Sequence, residues 1–250
     1  MNNFSEHVSF IWSIAEILRG NYKQSEYGKV ILPFTVLRRL DCVLAPTKQA
    51  VLKKAKGLSS KIDPKMREAT LNRESTQKFH NTSLFSFENL LDDPVNIATN
   101  LKNIIDGFSQ DAREIFIDHF KLPEQIAKLD KENLLYLVVS RFADPKINLH
   151  PNVVSNVAMG YIFEELIRRF SEQSNETAGE HFTPREVIRL MVNVLFEEDS
   201  DVLHKRGIIR KLYDPACGTG GMLSVAEEYL RELNPKAVLK VFGQELNEAL

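Results

Sequence analysis

Tyr213-Asp214-Pro215-Ala216-Cys217-Gly218-Thr219-Gly220-Gly221-Met222 is the stretch on which the reading of this chain turns. Ile208 to Tyr213, just before the glycines, reads as a strand. Met222, Leu223, Ala226, Tyr229 and Leu230, just after them, recur at helical spacing. Glycines at such a strand-to-helix turn let the backbone approach a ligand closely, and the helix N-terminus adds oriented N–H groups. Working outward, 184–196 reads as helix, 207–213 as extended, 220–233 as helix and 238–242 as extended. That alternation predicts parallel strands joined by crossover helices.

The residues around the turn narrow the ligand. Glu245, in Phe242-Gly243-Gln244-Glu245, stands at the end of the second strand, where an acid accepts hydrogen bonds from ribose hydroxyls. A dinucleotide site needs a third glycine, and here Gly218-Thr219-Gly220-Gly221 runs into Met222 and Leu223. A phosphate-gripping loop needs a lysine after the glycines, and none follows. Asp214 at the mouth of the turn would repel pyrophosphate but suits a cofactor bearing an ammonium and a sulfonium. S-adenosylmethionine has both. Glu180-His181-Phe182-Thr183-Pro184-Arg185-Glu186 has the form of a capping box, with Thr183 as N-cap and Pro184 at the first helical position. Val187, Leu190, Met191 and Val194 would give that helix its buried face. Its N-terminus would suit the methionine carboxylate.

Upstream, the first 140 or so residues read as helices. Phe4, Val8, Ile11, Ala15 and Leu18 form one stripe, ending near Gly20. From Lys29 to Leu44 apolar residues lie nearly all round, as in a buried helix, and Pro46 ends it. Residues 47–86 are polar and poorly periodic, which predicts short helices and a mobile surface. Asp93-Pro94 suits a helix start, with Leu101, Ile104, Ile105 and Phe108 facing one way. A further helix starts at Pro123 and uses Ile126, Leu129, Leu134 and Val138. After breaks at Asp144-Pro145 and His150-Pro151, Met159, Phe163, Leu166 and Phe170 form a stripe. Ser171 to Gly179 reads as an exposed loop.

Composition sets outer limits. With 32 basic and 34 acidic residues the net charge is −2, which weighs against the whole chain gripping a polyanion unaided. Local basic patches, or a partner that brings the charge, remain open. The two cysteines form no CxxC pair and the histidines have no metal spacing, so no metal site is expected. The polar N-terminus and the lack of a long apolar run predict a cytoplasmic protein with no membrane anchor. Cys217 reads as a packing residue rather than a nucleophile. The Lys-rich stretch Lys53 to Arg67 is either a solvated face or a phosphate contact. Arg38-Arg39 and Arg168-Arg169 are left open between interface and DNA contacts.

In this order, behind this helical half, the motifs resemble the modification (M) subunit of type I restriction–modification systems, a DNA adenine-N6 methyltransferase. Trp12 to Gly20 and Tyr27 to Pro33 look like that family's N-terminal domain. Glu180 to Arg185, Asp214 to Gly221 and Glu245 look like its cofactor motifs. The resemblance implies an all-α N-terminal domain (1–150) followed by the beginning of an α/β Rossmann-like S-adenosylmethionine-dependent methyltransferase domain (151–250). Phe182, Thr183 and Pro184 would line the methionine side, with Glu180, His181 and Arg185 beside them. Asp214, Pro215, Ala216, Cys217, Gly218, Thr219, Gly220 and Gly221 would form the cofactor turn, and Glu245 would hold the ribose. The family's catalytic Asn/Asp-Pro-Pro-Tyr/Phe loop is not found within the 250 residues, and Asn234-Pro235-Lys236 does not match it. The chain alone is therefore expected to be inactive. Implied partners are a specificity (S) subunit, a restriction (R) subunit, a second M subunit and double-stranded DNA. The rival readings are a non-enzymatic fragment that docks to the specificity subunit or DNA, and a methyltransferase for RNA or protein.

Overall fold

α3, Tyr27–Leu44, is the axis of the helical half, because apolar residues on nearly every side of it leave no face for water. The computed structural model describes residues 2–59, 61–174, 183–199, 203–205, 207–218 and 220–246. They fall into two units, Met1–Glu176 and Thr177–Leu250.

In the first unit, α1 (Asn2–Trp12), α2 (Ile14–Leu18), α3, α6 (Ile97–Asp106), α7 (Gln110–Glu114), α8 (Leu122–Lys131) and α9 (Leu135–Ala143) enclose one core. Phe34 of α3 stacks on Phe142 of α9 at 5.5 Å, and Phe87 meets Phe142 edge-on at 6.4 Å. Each of these rings is fully buried, a gain of roughly 1.5–3 kcal/mol apiece. The stripe from Phe4 to Leu18 is two helices rather than one. Ser13 Oγ donates to the Phe10 carbonyl at 2.6 Å, offering the backbone a partner outside the regular ladder. The helix expected from Pro123 to Val138 likewise splits at Asn133, whose φ is 57°.

Residues 47–86 hold the short helices expected of them. They form α4 (Lys48–Gly57) and α5 (Pro64–Ser75), followed by a buried polar knot. Asn81 Nδ2 donates to Ile104 O at 2.8 Å, Thr82 N to Gly107 O at 2.8 Å, and Ser109 N to His80 O at 3.1 Å. Gly107 has to be glycine, since a Cβ there would sit 2.6 Å from Ser83 N. Polar residues that satisfy one another can be buried without any apolar period to announce it.

Arg38 and Arg39 turn out to be internal braces. Arg38 Nε donates to Ile147 O at 3.1 Å and Nη1 to Asp41 at 3.0 Å. Arg39 donates to Leu149 O, to Val154 O at 2.7 Å and to Asn156 Oδ1 at 2.7 Å. Those bonds fasten the segment leading into α10 (Asn156–Ser174) onto α3. Buried Met159, Ile162 and Leu166, with half-buried Phe163 and Phe170, then pack α10 against the same core. By compactness α10 groups with the first unit. Of the predicted loop, residues 171–174 continue α10 and 175–179 lie outside the described residues.

The second unit holds α11 (Arg185–Glu197), β1 (Ile209–Asp214), α12 (Gly221–Leu233) and β2 (Val238–Gly243). β1 and β2 are parallel, in register from Ile209 opposite Val238 to Asp214 opposite Gly243. α12 covers one face of the pair through Leu223, Val225, Ala226 and Leu230. Ile209, Tyr213, Val238 and Phe242, on the other face, are 49–59% exposed. Two corrections concern α11. Pro184 is the N-cap itself, with extended ψ of 143° and no side-chain cap bond, so the helix starts one residue later than a box on Thr183 requires. Its buried residues are Ile188 and Val192, while Val187, Leu190, Met191 and Val194 are 45–67% exposed. Apolar residues cover most of this helix's circumference, and periodicity alone picked the wrong stripe.

Candidate functional site

Parallel pairing of β1 and β2 brings their C-terminal ends together, and everything at the site follows from that juxtaposition. Gln244 N donates to Asp214 O at 2.9 Å, and Cys217 N to Gln244 O at 2.9 Å. The chain leaving β2 is thereby laced to the turn leaving β1. Within the turn, Ala216 N donates to Asp214 Oδ1 at 3.1 Å and Gly220 N to Cys217 O at 2.8 Å. Gly218 (φ 50°) and Gly220 (φ 79°) take the left-handed conformation that glycine alone adopts without strain. The space where a Cβ of either would stand is open for 4 Å around.

Glu245, predicted from its place after the second strand, lies against this turn: Gly218 N donates to Glu245 Oε2 at 2.8 Å. The structure thus unites Asp214, Pro215, Ala216, Cys217, Gly218, Gly220, Gly221 and Glu245 at one end of the sheet, 31 residues apart in sequence. Glu180, His181, Phe182 and Thr219 lie outside the described residues. Thr183 and Pro184 are exposed at the start of α11. Arg185 Nη1 is 3.6 Å from Glu228 Oε2, an ion pair that joins α11 to α12. Ile188 approaches Gly221, Phe196 meets Tyr229, and Arg189 pairs with Glu232 at 2.9 Å. The two helices therefore run side by side in one direction, and their N-termini share the end of the unit that carries the glycines.

Two residues that the sequence reading passes over also matter here. A Cβ on Gly243 would fall 2.7 Å from Cys217 Sγ and 3.1 Å from Leu223 Cδ1, so only glycine lets β2 come this close to the turn. Gln244 is clamped from its side chain as well, with Tyr213 Oη donating to Gln244 Oε1 at 2.6 Å. The one usable sequence signal was their position immediately before Glu245. Asn234, by contrast, is structural: its Nδ2 donates to Leu203 O at 2.8 Å and Lys205 O at 3.0 Å.

The first unit has a cleft of about 450 Å³ that includes Arg38, Asp41, Cys42, Lys48, Asn81 and His150. Within it Arg38 pairs with Asp41. Lys48 Nζ donates to Asn81 Oδ1 at 3.0 Å and Phe85 O at 3.2 Å, and burial pulls its pKa down to about 8. Burial also raises the Asp41 carboxyl, against the pull of Arg38 and Lys48. Among the described residues no cluster of three or more His, Cys, Asp and Glu could hold a metal ion. Nor is any described helix long and apolar enough to cross a membrane.

The pattern of the HsdM N-terminal domain matches residues 7–142, and that of the N-6 DNA methylase domain matches 154–249. The chain belongs to the HsdM family, the M subunits of type I restriction enzymes, and corresponds to their N-terminal part. It is 27% identical over 250 residues to the type I restriction enzyme MjaIX methylase subunit of Methanocaldococcus jannaschii, covering 96% of this chain and 42% of that relative. The MjaVII methylase subunit of the same organism is 37% identical over 94 residues, 37% of this chain and 14% of the relative. The EcoEI methylase subunit of Escherichia coli is 36% identical over 73 residues, 29% of this chain and 13% of the relative. The chain thus spans less than half the length of these relatives.

Proposed function

We propose that this chain supplies the cofactor-binding part of a site-specific DNA adenine methyltransferase, with β1, α12 and β2 as the start of a Rossmann-like sheet. The observation that carries the reading is the 2.8 Å contact between Gly218 N and Glu245 Oε2, which sets a carboxylate beside a glycine turn open to a ligand. That arrangement fits S-adenosylmethionine. When bound, the cofactor supplies an electrophilic methyl group for adenine N6. Asp214 would face its cationic end, the backbone of Ala216, Cys217 and Gly218 would hold it, and Glu245 would accept from the ribose hydroxyls. The paired N-termini of α11 and α12 favour its carboxylate. Glu180, His181, Phe182, Thr183, Pro184, Arg185 and Thr219 complete the proposed surround.

No residue of the chain is assigned to the attack on the methyl group, and the chain alone carries no transfer activity. The complete assembly adds a second M subunit, an S subunit that selects the DNA sequence and an R subunit for cleavage, in the cytoplasm. Ultraviolet cross-linking of methyl-labelled S-adenosylmethionine, followed by peptide mapping, tests the reading. Label is expected in the peptide spanning 213–222. Label confined to the helical unit would instead support a fragment that only docks. Methyl incorporation into duplex DNA by the chain alone would refute its assigned inactivity.

A further inference from the structure

The cations of this chain are not evenly spread. Residues 48–78 hold nine basic and three acidic residues, a net charge of +6 in a chain whose total is −2. The structure shows what this segment is: α4 and α5 packed against each other as a hairpin, with Arg67 Nη2 donating to Ala55 O at 3.5 Å between them. Val51 of α4 and Leu71 and Ser75 of α5 point inward. On the helical wheel Lys53 and Lys56 oppose Val51, and Arg73 opposes Leu71. Lys54, Lys61 and Lys65 are exposed beside them.

What marks these six side chains is that they cluster on one hairpin without a carboxylate partner, unlike the paired cations elsewhere. Arg19, Lys128, Arg168, Arg169, Arg189 and Arg210 each have a carboxylate partner within 4 Å. Among the described residues, Lys53, Lys54, Lys56, Lys61, Lys65 and Arg73 have none. Two of the hairpin's three acids are turned to other uses. Asp63 caps α5 by accepting from Met66 N at 3.1 Å, and Glu68 accepts from Gln110 N at 2.6 Å. The result is a face of uncompensated positive charge about 15–18 Å long, from the 10 and 12 residues of the two helices.

We infer that the α4–α5 hairpin is a sequence-independent contact for the phosphate backbone of duplex DNA, an inference that rests on the DNA-methyltransferase reading above. Duplex DNA presents about one charge per 1.7 Å of axis, so a face of this length meets enough phosphates to engage every lysine. The composition fits phosphate better than protein. Lysine is depleted at protein interfaces, whose centres are apolar, and Met66 is the one exposed large apolar side chain among the hairpin's described residues. Such contacts hold and orient the duplex and carry no sequence information, which leaves base reading to another part of the assembly.

The test uses the 250-residue chain and a fluorescent 30-base-pair duplex of arbitrary sequence, without cofactor, titrated by anisotropy across a salt series. The comparison is the quadruple variant Lys53→Gln, Lys54→Gln, Lys56→Gln, Lys65→Gln, whose thermal melt checks its folding. The variant's plot of log affinity against log salt is expected to be shallower by about 3 to 4, with at least a tenfold loss of affinity near 0.1 M salt. Equal affinity and slope in both proteins overturn the inference, as does a wild-type chain that binds no duplex at low salt. Binding of poly-L-glutamate as tightly as duplex would assign the face to acidic proteins and overturn it too. S-adenosylmethionine titrated into the variant reads the cofactor site separately, so either proposal can fail while the other stands.

Discussion

Gly243→Ala puts a methyl group where the structure has no room. The new Cβ would lie 2.7 Å from Cys217 Sγ, 3.1 Å from Cys217 Cβ and 3.1 Å from Leu223 Cδ1. Cys217 has little freedom to retreat, because its N–H is bonded to Gln244 O and its carbonyl to Gly220 N. Overpacking of this kind costs about 1–3 kcal/mol, which raises the opening equilibrium of the β1–α12–β2 unit by roughly 5- to 160-fold. The only tryptophan, Trp12, lies in the helical unit and does not report on this region. Hydrogen exchange read by mass spectrometry on peptides covering 209–243 does. Cys217→Ala removes the 2.7 Å contact and leaves the 3.1 Å pair, so Cys217→Ala/Gly243→Ala is expected to recover about half the loss. That recovery is a coupling of at least about 0.5 kcal/mol. Strict additivity of the two substitutions, or unchanged exchange in Gly243→Ala, would refute the close approach of β2 to the glycine turn.

Two further predictions concern the helical unit, where Trp12 fluorescence reports unfolding. Arg39→Met strips the donor from Leu149 O, Val154 O and Asn156 Oδ1 and is expected to cost about 2–5 kcal/mol; a urea midpoint within error of wild type would contradict the brace. Lys48 sheds its proton near pH 8 in the folded chain and at its ordinary 10.5 when unfolded, so between those values the unfolded chain holds the extra proton. Stability then rises with pH through that window, by at most about 1.4 kcal/mol per unit, before the Tyr22 hydroxyl, pushed up to about 12, opposes it above pH 10. Urea midpoints at pH 7.5, 8.5 and 9.5 should lose this rise in Lys48→Met, and a slope retained in that variant would contradict the assignment.

Much of the fold could be read from the sequence wherever one physical rule acted alone. The all-round apolar run became buried α3, and the β1–turn–α12 junction stands where the glycines put it. The reading failed where two rules competed. In α11 apolar residues cover too much of the circumference for periodicity to choose a face, and contact with Gly221 and α12 selected Ile188 and Val192. His80, Asn81 and Ser83 are buried by mutual hydrogen bonding, which leaves no hydrophobic pattern. Arg38 and Arg39 looked like surface charges because their partners are backbone carbonyls more than 100 residues away. At the candidate site Asp214, the glycines and Glu245 were visible as residue types in order. Gly243 and Gln244 were not, since their roles exist only once two strands lie in register.

The central claim is that the turn from Asp214 to Gly221, together with Glu245, binds S-adenosylmethionine. Calorimetric titration of the cofactor into the chain tests it most directly, repeated with Asp214→Ala and Glu245→Ala. The account predicts saturable heat at one site per chain, lost in both variants while their far-ultraviolet dichroism is unchanged. Saturable binding that both variants retain, or no binding by a wild-type chain whose 209–243 peptides are protected from exchange, would contradict it.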